Sequence, residues 1–136
     1  MKVGGEKLLI AGVVAVVVAA VIGALAVIDS PAKERAKKLD DRRISDLREI
    51  ERSIDLYWTR HESLPPDLET LEQEPGVEIP SEDPESERPY EYRPSDSKTY
   101  ELCAVFATET PEGRYDLWTH GQGRQCFELE AEHFES

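Results

Sequence analysis

The chain is poor in the residues that most often carry chemistry. Its 136 residues include two cysteines, three histidines and one methionine. Two cysteines are too few for a structural zinc site, and they do not form a CxxC pair. The sequence contains no GxSxG, P-loop, GxGxxG, HExxH or CxxCH motif, and its histidines, at 61, 120 and 133, lie far apart. We therefore expect no catalytic residues, no cofactor and no metal ligands, and predict that the protein is not an enzyme.

Positive charge is scarce in the C-terminal two-thirds of the chain. Residues 44–136 contain 8 Lys/Arg against 24 Asp/Glu, whereas residues 1–43 contain 8 against 5. A domain this acidic repels a polyanion, so we expect no nucleic-acid partner. Acidity also favours solubility, and so it does not identify an activity by itself.

A long apolar run lies near the N-terminus. All 21 residues from Leu8 to Ile28 are Leu, Ile, Val, Ala or Gly. As a helix this run spans roughly 31 Å, the thickness of the hydrocarbon core of a bilayer. A signal peptide is the alternative, but the run exceeds the ~7–15 apolar residues of such peptides and no small-x-small cleavage site follows it. We predict a retained transmembrane helix in contact with lipid.

Within this run, small residues recur at every fourth position. Such a stripe permits close approach of a second helix, as in small-xxx-small motifs. Chance is the alternative explanation in a helix rich in Ala and Gly. We predict that the stripe packs against another membrane-protein subunit through Ala11, Ala15, Ala19 and Gly23.

A long amphipathic helix follows the apolar run. Ser30 and Pro31 suit the N-cap and first positions of a helix. Apolar residues then recur at steps of three and four from Ile44 to Tyr57, which is typical of one helix face packed on a core. The predicted organisation is a short N-terminal segment at 1–7, a transmembrane helix at 8–28, a charged then amphipathic helix at 29–62, and a loop, short helix and sheet at 63–136.

Strand patterns dominate the C-terminal part. TYELCAVFA (99–107) alternates best, and PYEYR (89–93), RYDLWTH (114–120) and RQCFEL (124–129) are further predicted strands, while DLETLEQ (67–73) favours a short helix. We predict an α+β fold in which the long helix packs on a three- or four-stranded antiparallel sheet. The residues expected to form the helix–sheet contact are Leu47, Ile50, Ile54, Tyr57, Tyr100, Leu102 and Phe106.

The two cysteines, Cys103 and Cys126, fall in two of these predicted strands. One disulfide between them is the preferred interpretation, and it requires an oxidising compartment. Two buried free thiols are the alternative.

Several sets of residues resemble the type IV pilin and type II secretion pseudopilin superfamily, over about residues 40–128. The stretch from Asp46 to Pro65 is similar to the end of the pseudopilin long helix, and Asp83-Pro84 with Pro89-Tyr90 is similar to the entry into the sheet. The remaining similar positions are Leu68, Leu71, Tyr92, Tyr100, Leu102, Cys103, Ala104, Phe106, Trp118, His120, Gly121, Gly123, Cys126 and Phe127.

The resemblance implies a pilin-like domain on the extracytoplasmic side of a bacterial inner membrane. Two family features are missing. Gly5 is followed by Glu6 and Lys7, so no prepilin-peptidase site is recognisable, and the Asp/Gly-rich calcium loop before the last strand is replaced by the short TETPEG (108–113). Sidedness has a counter-argument, because six Lys/Arg follow the apolar run and two precede it, and the positive-inside rule then places the domain in the cytoplasm.

Three functions agree with these observations. The preferred one is a structural or accessory subunit that docks on a larger membrane complex (respiratory, photosynthetic or transport) through its transmembrane stripe and acidic domain. The others are an atypical minor pseudopilin and, more weakly, a ligand-binding or sensory ectodomain.

Overall fold

The computed structural model describes residues 3–27, 30–113 and 116–133. The chain divides into two compact units, Met1–Glu34 and Arg35–Ser136. The first unit contains helix α1, Val3–Val27, whose described side chains are all exposed although almost all are apolar. One N-terminal helix is thus long and apolar enough to span a membrane. This helix begins within the stretch 1–7 that the sequence predicts as a short polar start.

Helix α2 is Pro31–His61. The Ser30 hydroxyl accepts a hydrogen bond from the Lys33 amide at 3.3 Å, as expected of an N-cap residue. The helix ends before the two prolines. Glu62 adopts the left-handed conformation, with φ of 52°, and its amide donates to the Trp58 carbonyl at 2.8 Å. Helices commonly end with a residue in the left-handed conformation just after the last turn. This residue is usually glycine, and here it is a glutamate.

The loop after α2 is tied to the sheet. Pro65 is fully buried, and its carbonyl accepts a hydrogen bond from the Tyr92 hydroxyl at 2.8 Å. Asp67 then caps the short helix α3, Leu68–Glu72, by accepting from the Thr70 amide at 2.7 Å. The prolines therefore hold the chain in its turn back toward the strands.

The sheet has three antiparallel strands in the order β1-β2-β3. Strand β1 is Glu91–Pro94, β2 is Thr99–Phe106 and β3 is Gly123–Glu130. β2 is central, and its inner face points into the core while its outer face carries Cys103 opposite Cys126. The α+β architecture and the antiparallel sheet agree with the prediction at this level of detail.

One core joins the long helix to the sheet. Leu47, Ile50 and Ile54 of α2 are completely buried and belong to the same hydrophobic cluster as the inner face of β2. Tyr57 is only partly buried at the edge of that cluster. The buried sheet residues of the cluster are Tyr100, Leu102, Ala104, Phe106, Phe127 and Leu129.

The strand predicted at RYDLWTH is wrong for its described part. Asp116–His120 form a turn in which Asp116 accepts from the Trp118 amide at 3.0 Å, and Arg114 and Tyr115 lie outside the described residues. The alternation of apolar residues does not correspond to a strand here. Trp118 is buried and packs against Phe127, while Leu117 is exposed. The long connection from β2 to β3 is thus a loop that covers one end of the core.

Candidate functional site

A charged cluster lies inside the domain, centred on Arg43. This side chain is 4% exposed and donates to Asp40 at 2.8 Å, to Asp83 at 2.5 and 3.2 Å, and to Glu85 at 2.9 Å. Asp40 and Asp83 are themselves 2% and 7% exposed. A buried guanidinium paired at several points is stable only when its partners are also satisfied.

The two aspartates meet that condition through the backbone. Asp40 accepts from the amides of Ala107 and Thr108 at 2.9 and 2.7 Å, just after β2 ends. Asp83 accepts from the amides of Glu85 and Ser86 at 3.0 and 2.8 Å. The cluster therefore connects α2 to two loops that are distant in sequence.

The electrostatics of the cluster favour its charged form. Burial raises the pKa of Asp83, but hydrogen bonds from Arg43 and from the Ser86 and Glu85 amides outweigh it, and the pKa lies well below its usual value. Asp40 behaves in the same way: burial raises its pKa, and hydrogen bonds from Thr108, Ala107 and Arg43 lower it further than burial raises it. Both carboxylates stay ionised beside Arg43 at neutral pH.

A second buried polar pair lies one turn along α2. The Tyr90 hydroxyl donates to the Asp46 carboxylate at 2.8 Å, and both residues are buried. Burial raises the pKa of Asp46, and the hydrogen bond from Tyr90 only partly offsets this. The pair joins α2 to the residue that precedes β1.

The predicted disulfide is present. Cys103 and Cys126 are direct partners in the β2–β3 register and are bonded, with their Cα atoms 4.0 Å apart. Cys103 is 1% exposed, whereas Cys126 is exposed on the edge strand. No free cysteine remains.

The predicted stripe residues lie on α1, where Ala11, Ala15, Ala19 and Gly23 are all exposed.

A cavity of about 440 Å³ lies between α2 and the loop from β2 to β3. Lys37, Arg48 and Arg52 line the helix side, and Asp116 and His120 line the loop side. The His120 ring stacks on Phe106 with ring centres 3.8 Å apart, which explains its position without a ligand. Arg48 and Asp116, both about half exposed, approach to 3.5 Å and contribute little stability.

The histidines do not converge. His61 contacts Glu74 at 3.0 Å and lies beside Tyr57, at the opposite end of α2 from the charged cluster. Among residues 3–27, 30–113 and 116–133, no three His, Cys, Asp or Glu side chains are arranged to hold a metal ion.

Sequence reasoning missed the charged cluster, although a signal existed. Asp40 and Arg43 precede Leu47, Ile50 and Ile54 at the same steps of three and four. The buried face of α2 therefore continues toward its N-terminus with charged residues instead of apolar ones. A charge in register with an apolar stripe is a hint of a buried ion pair, but the sequence does not name its partner.

Comparisons of the chain with family models, with curated proteins and with solved structures give no match.

Proposed function

We propose that this chain is a non-enzymatic, single-pass membrane subunit whose pilin-like domain docks on a larger membrane complex. One observation carries the proposal: an apolar helix with exposed side chains all round precedes a domain whose buried charges are committed to holding its fold.

The apolar surface of α1 supports a role as a membrane anchor. Its described side chains are exposed on every face, and most are large and apolar, such as Leu8, Val16 and Leu25. A helix that is apolar all round finds a favourable environment in a protein core or in lipid, and α1 has no core of its own. Lipid around the helix is the arrangement that removes this surface from water.

The buried polar groups support a structural role for the domain. Asp40, Asp46 and Asp83 each accept a hydrogen bond from another residue, and Arg43 is paired at several points. A general acid or base needs a proton that it can exchange with a substrate, whereas Asp40 and Asp83 are held ionised by several hydrogen bonds within the fold. The acidic outer surface is then the part that meets a partner, through a basic surface on that partner.

The disulfide supports an extracytoplasmic domain, because such bonds persist in oxidising compartments. The cations after α1 favour the opposite orientation, yet they are not all free charges near the membrane. Arg43 is paired with Asp40 and Asp83 inside the domain. It therefore does not count among the positive charges that would hold this side of the helix in the cytoplasm.

The stripe supplies the contact within the membrane. Exposed small residues at Ala11, Ala15, Ala19 and Gly23 let a partner helix approach the α1 backbone. Replacing two of them with Leu blocks that approach while keeping the helix apolar.

The test is carried out on the native membrane. Membranes are washed with alkaline carbonate, solubilised in mild detergent, and the tagged chain is purified with its partners at measured stoichiometry. We expect the chain to resist carbonate and to retain partners at a fixed ratio. The double variant Ala15→Leu/Ala19→Leu should stay in the membrane and lose them, whereas Val17→Leu/Val21→Leu, a matched change on another face, should retain them.

Three results would contradict the proposal. Release by carbonate would remove the anchor. Free alkylation of Cys103 and Cys126 in cells without reductant would place the domain in a reducing compartment. A shortened and N-methylated N-terminus by intact mass would favour the minor pseudopilin instead.

A further inference from the structure

The two sulfurs of the disulfide lie in different surroundings. Cys103 is on the central strand β2 and is 1% exposed, while Cys126 is on the edge strand β3 and is exposed. We therefore expect a nucleophile approaching from solvent to attack at Cys126 more readily than at Cys103. Thiol–disulfide exchange depends on which sulfur can be attacked.

An arginine lies over the buried sulfur. Arg124 stands two residues before Cys126 on β3, and its guanidinium donates to Glu91 on β1 at 2.8 and 2.7 Å. Because β2 runs between β1 and β3, this side chain crosses over Cys103, and its Nη2 lies 3.6 Å from the Cys103 Sγ. Glu91 fixes the guanidinium in that position. A cation beside a sulfur stabilises its thiolate form.

We propose that Cys103–Cys126 is a thiol–disulfide exchange site for a dithiol, with attack at Cys126 and departure of Cys103. The thiolate of the dithiol attacks the Cys126 Sγ, the bond between the two protein sulfurs breaks, and its electron pair goes to the Cys103 Sγ beside Arg124. The second thiol of the reductant then attacks its own sulfur in the mixed disulfide and releases Cys126. The protein gains two thiols, and the dithiol is oxidised to a disulfide.

The exchange acts on the connection between the two strands. The disulfide closes the loop from β2 to β3, which carries Trp118 and His120 and lines the cavity against α2. Eight register pairs join β2 and β3 alongside the disulfide, and the pair Phe106–Gly123 lies between the disulfide and the loop. We therefore expect reduction to leave the strands paired and to remove the covalent link between them. The inference is independent of the membrane complex proposed above.

The full-length wild-type chain in detergent micelles is treated briefly with glutathione and sampled at low conversion, because a second glutathione would go on to reduce the mixed disulfide. The reaction is quenched with acid, and remaining thiols are alkylated. Trypsin cuts after Lys98, Arg114 and Arg124, so the two cysteines fall in separate peptides. We expect glutathione on Cys126 in about tenfold excess over Cys103. Equal labelling, labelling mainly at Cys103, or no exchange in the folded chain while the urea-unfolded chain reacts would overturn the proposal.

Two further variants test the part played by Arg124. Arg124→Gln should slow formation of the mixed disulfide about three- to tenfold because the leaving thiolate loses its cation, and Arg124→Lys should restore most of the rate. Arg93→Gln is the matched control, since Arg93 also donates to Glu91, at 2.8 Å, from two residues further along β1. Circular dichroism verifies that each variant is folded. A rate for Arg124→Gln equal to that of Arg93→Gln would overturn the assignment of Arg124.

Discussion

Arg43 and Asp83 are separated by 40 positions in the sequence and form a buried two-point ion pair, with Arg43 Nε and Nη2 at 2.5 and 3.2 Å from the carboxylate oxygens. Asp40, one helical turn before Arg43, completes the pair from α2. The contact holds the loop before β1 against the helix. It makes a cluster of charges part of the interior of the domain, beside the apolar core.

Removing the arginine should be far more costly than removing its neighbour. Arg43→Met leaves the buried Asp40 and Asp83 without their cation, so we expect the free energy of unfolding to fall by about 3–5 kcal/mol. Arg42, which is 69% exposed in its side chain and 3.8 Å from Asp46, is the control. Arg42→Gln should cost less than about 1 kcal/mol. Urea unfolding of both variants in detergent measures the difference, and equal costs would contradict a structural role for the cluster.

Two buried tyrosines should respond to the same substitution with opposite signs. Tyr90→Phe leaves the buried Asp46 carboxylate without its donor and should cost about 1–3 kcal/mol. Among the described residues, the Tyr100 hydroxyl is the buried side-chain group that has no hydrogen-bond partner. Tyr100→Phe removes that group without creating a cavity and should stabilise the domain by about 1 kcal/mol. Thermal unfolding followed by circular dichroism distinguishes the two, and a destabilised Tyr100→Phe would show that the hydroxyl has a partner.

The charged cluster should make the domain sensitive to acid. The pKa of Asp83 is lower in the folded than in the unfolded chain, because hydrogen bonds from Arg43 and two amides outweigh burial. The unfolded chain therefore binds the proton first as pH falls. The stabilisation by Asp83 is complete above its ordinary pKa of about 4 and is lost progressively below it.

The measurement compares unfolding free energies at a series of pH values from neutral to strongly acidic. Asp83→Asn should flatten the acid limb of this curve, whereas Glu82→Gln, at the exposed preceding position, should leave it unchanged. An acid limb that is equally steep in Asp83→Asn would rule out this carboxylate as the titrating group.

The disulfide should stabilise the domain mainly by limiting the unfolded chain. Cys103 and Cys126 are 23 positions apart, and in the chain-entropy model a loop of this size contributes roughly 3 kcal/mol. Cys103→Ala/Cys126→Ala should lower the unfolding free energy by about that amount while preserving the strand register. Ala107→Gly, in the same loop, serves as a control for loop flexibility alone. An unfolding free energy of the double variant equal to that of wild type would contradict this expectation.

The amino-acid sequence by itself determined the local elements. Spacing of apolar residues is a property of neighbouring positions, so the long helix, the strand at TYELCAVFA and the apolar N-terminal helix follow from it. The sequence made one disulfide the preferred interpretation of its two cysteines and left two free thiols as the alternative, and the structure shows the disulfide. The strand predicted at RYDLWTH failed because it too rested only on the spacing of neighbouring residues. Leu117 and Trp118 suit a strand, but the structure has a turn at Asp116, with Trp118 buried and Leu117 exposed.

Only the tertiary structure decided which residues the interior charges contact. Arg43 and Arg42 are identical neighbours in a charged stretch, and the helical phase buries the first and exposes the second. That Arg43 meets Asp83, and that Arg124 crosses to Glu91 over Cys103, depends on chain segments brought together from far apart. The helical period places Arg43 on the buried face, but it does not indicate the partner, because each partner satisfies the other in space and not along the chain.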